Sequence, residues 1–301
     1  MKSHLLSLVF ALMLAFPVIA QQSTDGKVGT YIPGGPVPPA ATLDGPWGAH
    51  QLFVHEWNTD QNLIFKFNDL SDYFRLASIT PYINTGDFAN DGFLYATGIS
   101  WDNNLNQIDI RTGNSTLIGT ISGVGQYSVG MAYNPTDDIM YLLTLGISGS
   151  QIYSVSLSDA STNLLATFSS VDFRTLAFDI NTNALYTIDQ YTDQLYRISI
   201  TDWSTTMVGN VGFSLGTYFS GSDFNESTGE LYVSQYDGYD ARIYTVNTSN
   251  GASTLQTTVP NSDFIVLAIH PSIIPVPVSI WVVLSLFVLV IAGFVAKRKF
   301  F

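Results

Sequence analysis

The chain has no cysteine and only four histidines among its 301 residues. The first absence excludes disulfides, thiolate metal sites and a cysteine nucleophile. It leaves the compartment open, because many exported bacterial proteins manage without disulfides. Three histidines, His50, His55 and His270, lie in the body of the chain, and none has the HExxH spacing of a zinc site. Positive charge is also scarce. All 24 acidic residues lie between Asp25 and Asp263, where only 7 of the 11 Lys and Arg residues fall, a net charge of −17 for that stretch. Nucleic acid is thereby excluded as a partner, since binding it depends on cationic neutralisation of phosphates. Cations, or a polar neutral partner such as a glycan, fit better. No Gly-rich loop followed by Lys-Ser/Thr and no Gly-x-Ser-x-Gly elbow is present, which disfavours nucleotide hydrolysis and α/β-hydrolase chemistry. What the chain does have is apolar content of 46% against 12% charged, enough for one large domain with a buried core.

Both ends carry membrane signals. Residues 1–20, MKSHLLSLVFALMLAFPVIA, place Lys2 before an apolar stretch and small residues, and read as a secretory signal peptide cleaved after Ala20. Residues 21–48 are rich in Gly and Pro without periodic apolar positions, so a spacer is expected, with a Pro-rich partner motif as the other reading. The body is expected over 49–271 and a Pro-rich segment over 272–277. An uncharged run over 278–296 is long enough for one helical membrane span, and the basic tail 297–301 follows. Lys297, Arg298 and Lys299 would hold that end in the cytoplasm, with the body outside the inner membrane. Pro275-Val276-Pro277, the apolar run and the basic cluster together resemble the PEP-CTERM sorting tail of Gram-negative bacteria. That resemblance implies an exosortase-like processing enzyme as partner, and delivery to the cell surface or the exopolysaccharide matrix. Val276 stands where the usual motif has Glu, and a plain single-pass anchor is the alternative.

The stretch from Leu176 to Val211, LAFDINTNALYTIDQYTDQLYRISITDWSTTMVGNV, holds four short apolar runs separated by Asp/Asn/Thr turns. Such a unit is a four-stranded antiparallel sheet, and it recurs. Second-strand aromatics at Phe53, Tyr95, Tyr141, Tyr186 and Tyr232 are 42, 46, 45 and 46 residues apart. A third strand follows each (LIFKF, QIDI, QIYSVSL, QLYRISI, RIYTVN), then a fourth (RLASI, TLIGTI, LLATF, MVGNV, LQTTV). A period near 45 with four strands per unit is the signature of a β-propeller. First strands precede four of the anchors, as DFAND, MAYNP, LAFDI and SDFNE; the missing copy reappears as VLAIHP, Val266 to Pro271. We therefore expect an all-β fold, a five-bladed propeller closed by a C-terminal strand, so that no open edge remains to pair with other chains. An open stack of sheets or a β-sandwich pair is the competing arrangement. The cadence, as in Ile108-Asp109-Ile110-Arg111-Thr112-Gly113, resembles NHL- and YVTN-type surface propellers.

In such a fold the loops between strands two and three, and those between consecutive blades, share one face. The first set offers Glu56, Trp57, Asp102, Asp189, Gln190, Tyr236, Asp237 and Asp240. The second offers Tyr82, Tyr127, Asp172, Phe173, Tyr218, Phe219, Asp263 and Phe264. Aromatics beside carboxylates suit carbohydrate, because a sugar stacks its apolar face while its hydroxyls take hydrogen bonds. Phe173, Phe219 and Phe264 recur at one repeat position, which blade-to-blade packing would also produce. Asp87 and Asp223 stand where other first strands have Ala132, Ala177 and Ala268, so each needs a partner, a cation or a raised pKa. They are the weak catalytic candidates of a glycosidase-like acid pair; the plainer role is to cap backbone or hold water. No cofactor is expected. Calcium is the cation that Asp237-Gly238-Tyr239-Asp240, Asp102-Asn103-Asn104 and Asp87 with Asn90-Asp91 would take, but none has EF-hand spacing. The expected function is a non-enzymatic binding or structural module, exported and tethered or processed, with a glycan or an envelope protein as partner. The alternative is a glycan-active hydrolase or lyase.

Overall fold

The computed structural model describes residues 50–270, except 58, 68, 77–81, 99–102, 111, 125–126, 148 and 216–219. The expected signal peptide, spacer, membrane span and basic tail lie outside the described residues. Among those described, no helix is long and apolar enough to cross a membrane.

Among the described residues, twenty strands form five antiparallel sheets of four. Blade 1 contains β1 (His50–Glu56), β2 (Gln61–Lys66) and β3 (Asp69–Leu76). Blade 2 is β4 (Ile83–Phe88), β5 (Leu94–Gly98), β6 (Asn104–Asp109) and β7 (Asn114–Thr120). Blade 3 is β8 (Tyr127–Asn134), β9 (Ile139–Gly146), β10 (Gly149–Val155) and β11 (Thr162–Phe168). Blade 4, the Leu176–Val211 unit, is β12 (Ala177–Asp179), β13 (Ala184–Asp189), β14 (Gln194–Ser199) and β15 (Thr205–Asn210). Blade 5 is β16 (Ser222–Asn225), β17 (Glu230–Tyr236), β18 (Ala241–Val246) and β19 (Ser253–Val259), and β20 (Phe264–Ile269) returns to complete blade 1. Asn183 and Asp193, at φ 49° and 53°, turn the blade 4 hairpins. Short polar side chains tolerate that left-handed backbone better than bulky ones do.

β20 pairs antiparallel with β1, from Leu52↔Ile269 to Glu56↔Phe264. The inner strands β4, β8, β12, β16 and β20 then touch one another in cyclic order, which makes the assembly a closed ring. Five apolar clusters fill the five gaps between neighbouring blades. At the closing gap Leu52, Val54 and Phe65 of blade 1 meet Tyr232, Ile243 and Val259 of blade 5. Every residue of β13 and of β20 is buried. The alternation visible in the sequence therefore separates two neighbouring blades and not core from solvent. Among the described residues, fully exposed positions concentrate on the outer strands, such as β7 and β15.

Gly221 makes the closing contact close. A Cβ there would stand 2.1 Å from the backbone nitrogen of Leu267, so only glycine lets the start of blade 5 approach β20. Two strand bounds differ from the sequence reading. In blade 1 the fourth strand runs through Asp69–Leu76 and not from Arg75, because Lys66 pairs with Asp69 across a very short turn. The inner strands β4 and β8 start upstream of the DFAND and MAYNP motifs, at Ile83 and Tyr127, since each extends further along the axis.

Candidate functional site

The axis and one face are the two places where chemistry could occur. On the axis, the backbone N–H of the residue after the Asp/Ala position is bonded to a carboxyl in four of the five inner strands. Asp87 Oδ1 accepts from Phe88 N and its Oδ2 from Tyr133 N of blade 3, both at 2.7 Å. Asp223 repeats this two blades away, accepting from Phe224 N and from Ile269 N of β20, again at 2.7 Å. Two carboxyls thus serve four of the five equivalent N–H groups. The fifth belongs to Phe178, whose own blade and the blade before it carry Ala177 and Ala132 at the Asp position.

Asp87 and Asp223 line the same buried cavity, where the repulsion of two like charges favours a proton on one of them. Burial, then the Asp223 charge, pushes the Asp87 carboxyl well above its usual range, outweighing the two N–H donors. Burial likewise pushes Asp223 up. Glu226, at the same cavity, is raised by burial as well. The space between them, bounded by Phe88, Tyr133, Phe178 and Phe224, is about 20 Å³, room for one water. A second constriction further along the axis, among Gly86, Gly130, Gly221 and Leu267, is about 10 Å³.

The face is built from the loops named above, and backbone bonds join the two sets. Trp57 N donates to Asp263 O at 3.2 Å, and Gln190 N donates to Asp172 O at 2.9 Å. Most of the carboxylates there are engaged in turns. Glu56 accepts from the Thr59 hydroxyl at 2.6 Å. Asp189 accepts from Tyr191 N at 2.8 Å. Asp237 accepts from Tyr239 N and Asp240 N, each at 2.9 Å, and pairs with Arg242 at 2.5 Å. Asp240 accepts from Asn261 N at 3.0 Å, and the Tyr236 hydroxyl donates to Gly238 O at 2.8 Å. Tyr127, at the start of β8, packs on the core between blades 3 and 4. Phe173 and Phe264 are buried against Tyr196 and Phe65 at ring distances of 5.3 and 5.9 Å, so their repeat position is one of packing. Asp102, Tyr218, Phe219, Pro275, Val276, Pro277, Lys297, Arg298 and Lys299 lie outside the described residues. Among those described, no three His, Cys, Asp or Glu side chains come together to hold a metal ion.

Beyond the candidates expected from the sequence, three exposed side chains stand at the apices of strand-two-to-three turns. Ile147, Tyr191 and Tyr239 stand there 97%, 81% and 81% exposed. Trp57 occupies the same turn in blade 1, half-buried against the core. The signal was present: a large apolar residue follows each second-strand anchor by four to seven positions, where turn chemistry favours Gly, Asn or Asp. Between Ile147 and Tyr191 lies an open cleft of about 490 Å³ at the junction of blades 3 and 4, floored by Val171 and Asp172. Arg174 grips Asp172 with two contacts, 2.7 and 3.0 Å, and fixes its carboxylate at the cleft wall.

A closed ring of five repeats with its inner axis plugged defines a five-bladed β-propeller repeat protein. The chain belongs to the family described as "Repeat of unknown function (DUF6923)", whose pattern matches residues 55–263. No curated protein matches it. Among solved structures, a chain of the nidogen/laminin complex is 13% identical with a TM-score of 0.53, over 75% of this chain and 99% of that one. A protein of unknown function from Bacteroides thetaiotaomicron is 13% identical with a TM-score of 0.46, over 69% of this chain and 50% of that one. TolB from Acinetobacter baumannii is 14% identical with a TM-score of 0.45, over 72% and 56%. At 13% identity the likeness to the nidogen/laminin chain is one of fold alone.

Proposed function

We propose that this protein is an exported propeller, tethered by its C-terminal segment or processed there, that serves as a non-enzymatic binding module at the cell surface or in the exopolysaccharide matrix. The observation that carries the non-enzymatic half is the state of the axial acids. Glycoside hydrolysis needs two carboxyls flanking a substrate slot, about 5 to 9.5 Å apart. Asp87 and Asp223 accept from four backbone N–H groups around a space of about 20 Å³, where no sugar fits. What supports binding is the opposite face, with its exposed apolar apices and open cleft. A propeller of this fold occurs in the nidogen/laminin complex. Export and tethering rest on residues 1–20 and 275–301 of the sequence, with an exosortase-like enzyme as the partner that the tail would engage.

The test uses the full chain in a Gram-negative exopolysaccharide producer. Protease added to spheroplasts should digest the propeller while a cytoplasmic marker survives, and the chain should co-sediment with matrix isolated from those cells without releasing reducing ends from it. A propeller protected inside spheroplasts would refute export. Failure to co-sediment, or steady release of reducing ends, would refute the binding-module reading.

A further inference from the structure

The cleft between blades 3 and 4 has the volume of a ligand site, about 490 Å³ within the 300–1,000 Å³ such sites usually occupy. Its two rims differ in kind. One is the Tyr191 ring, 81% exposed; the other is Ile147, 97% exposed. An aromatic ring and a branched alkyl group held out in water, on separate hairpins, face the same gap. Neither packs on its own blade, so the core does not account for them. Between the rims lie the exposed Ser169 and Ser170 and the Asp172 carboxylate. Arg174 holds Asp172 from one side, through Nε at 2.7 Å and a second guanidinium nitrogen at 3.0 Å. The carboxylate is therefore preorganised.

The charge of the face narrows the ligand class. Glu56, Asp60, Asp172, Asp189, Asp193, Asp237, Asp240 and Asp263 all lie in its loops. Among the described side chains there, the cations Arg174 and Arg242 are already paired with Asp172 and Asp237. Such a surface repels polyanions and favours neutral or positively charged ligands. A ligand that stacks a flat apolar face on tyrosine, takes hydrogen bonds from or to two hydroxyls and a fixed carboxylate, and bears no negative charge is a sugar ring without acid groups.

Resting on the binding-module reading above, we propose that the Ile147–Tyr191 cleft is the glycan site of this protein, and that it takes a neutral or amino-sugar polysaccharide and not a uronate or sulfated one. Tyr191 is the stacking platform. Asp172, oriented by Arg174, accepts from hydroxyl or ammonium groups. Tyr239 and Trp57, at the equivalent turns of blades 5 and 1, give a long polymer further points of contact on the same face, which strengthens retention of a chain over that of a short oligomer.

The full chain in detergent micelles would be titrated with three probes: cello-oligosaccharide, chitosan oligosaccharide and alginate oligosaccharide. Binding is expected for cello- or chitosan oligosaccharide and to be at least tenfold weaker for alginate. Tyr191→Ala should weaken the bound probe about tenfold, the usual worth of one aromatic stacking contact. Ile147→Ser should weaken it severalfold. Met207→Ser, an exposed apolar residue on outer strand β15, should leave it unchanged. Tyr191 and Ile147 are exposed, so thermal midpoints matching the parent chain are expected and separate lost contact from lost fold. Equal affinity for alginate, or no affinity for any of the three probes, overturns the ligand class. Undiminished binding by Tyr191→Ala overturns the site. If the chain still co-sediments with matrix in either case, the binding-module reading stands and only this assignment fails.

Discussion

Replacing both axial carboxyls, as Asp87→Asn/Asp223→Asn, tests whether the pair is held protonated. A buried acid whose folded pKa is raised contributes stability that is fully present below its unfolded value and is lost as pH rises through the folded one. Asp223 is pushed from an ordinary 3.8 up to about 7, a change of about 3 units, or about 4 kcal/mol for one proton at 1.36 kcal/mol per unit. Between pH 5 and pH 8 about two of those units are traversed, so the wild-type chain should lose about 3 kcal/mol. Asp87, pushed up in the same direction, adds to that loss. For a domain of this size the shift corresponds to roughly 10 °C in thermal midpoint. The double variant should show no such loss, although each amide sets an NH₂ against one backbone donor and lowers stability at pH 5 by about 1 kcal/mol per lost bond. The assay is urea unfolding of the full chain in detergent at pH 5, 6, 7 and 8 and constant ionic strength, read as wild type minus variant. His55, buried with its pKa lowered by burial, acts in the opposite sense, and Glu226 lies at the same cavity; both remain in the two proteins and largely cancel in the difference. A difference that is flat, or that grows with pH, would refute a protonated pair.

Other expectations concern closure and export. Phe264→Ala empties a fully buried site in β20 and should cost about 3–5 kcal/mol of unfolding free energy, measured by urea midpoint; a cost below about 1 kcal/mol would mean the strap is not part of the core. Gly221→Ala forces a methyl to within 2.1 Å of Leu267 N, so blade 5 and β20 must separate. A loss of about 1–3 kcal/mol is expected, with faster exchange of β20 amides than of those in β13, and unchanged exchange would count against that contact. Mass spectrometry of the exported chain should find Gln21 at its N-terminus, and an intact Met1 would refute the signal peptide.

The repeat was legible because each blade must place turn residues and a second-strand aromatic at the same offsets. Phe53, Tyr95, Tyr141, Tyr186 and Tyr232 therefore kept time along the chain, and the first strand missing from blade 1 could be matched to Val266–Pro271. The inner strands' anomaly was legible too, since Asp87 and Asp223 break a run of alanines. Their partners were not. A carboxylate that accepts from a backbone N–H 46 residues on, in Tyr133 or Ile269, leaves no mark on that residue's identity, because every non-proline residue offers the same group.

The local pattern by itself determined the strands and their count per unit, because strand periodicity and turn chemistry act between near neighbours, and the repeat, one first strand short in blade 1, pointed to the closing strap. Only the tertiary structure decided that the axis is plugged and that Ile147 and Tyr191 face one cleft. Those facts depend on how tightly five sheets converge around a common centre and on which hairpin tips the ring brings side by side. Both are distances between segments far apart in the chain, and no local interaction sets them.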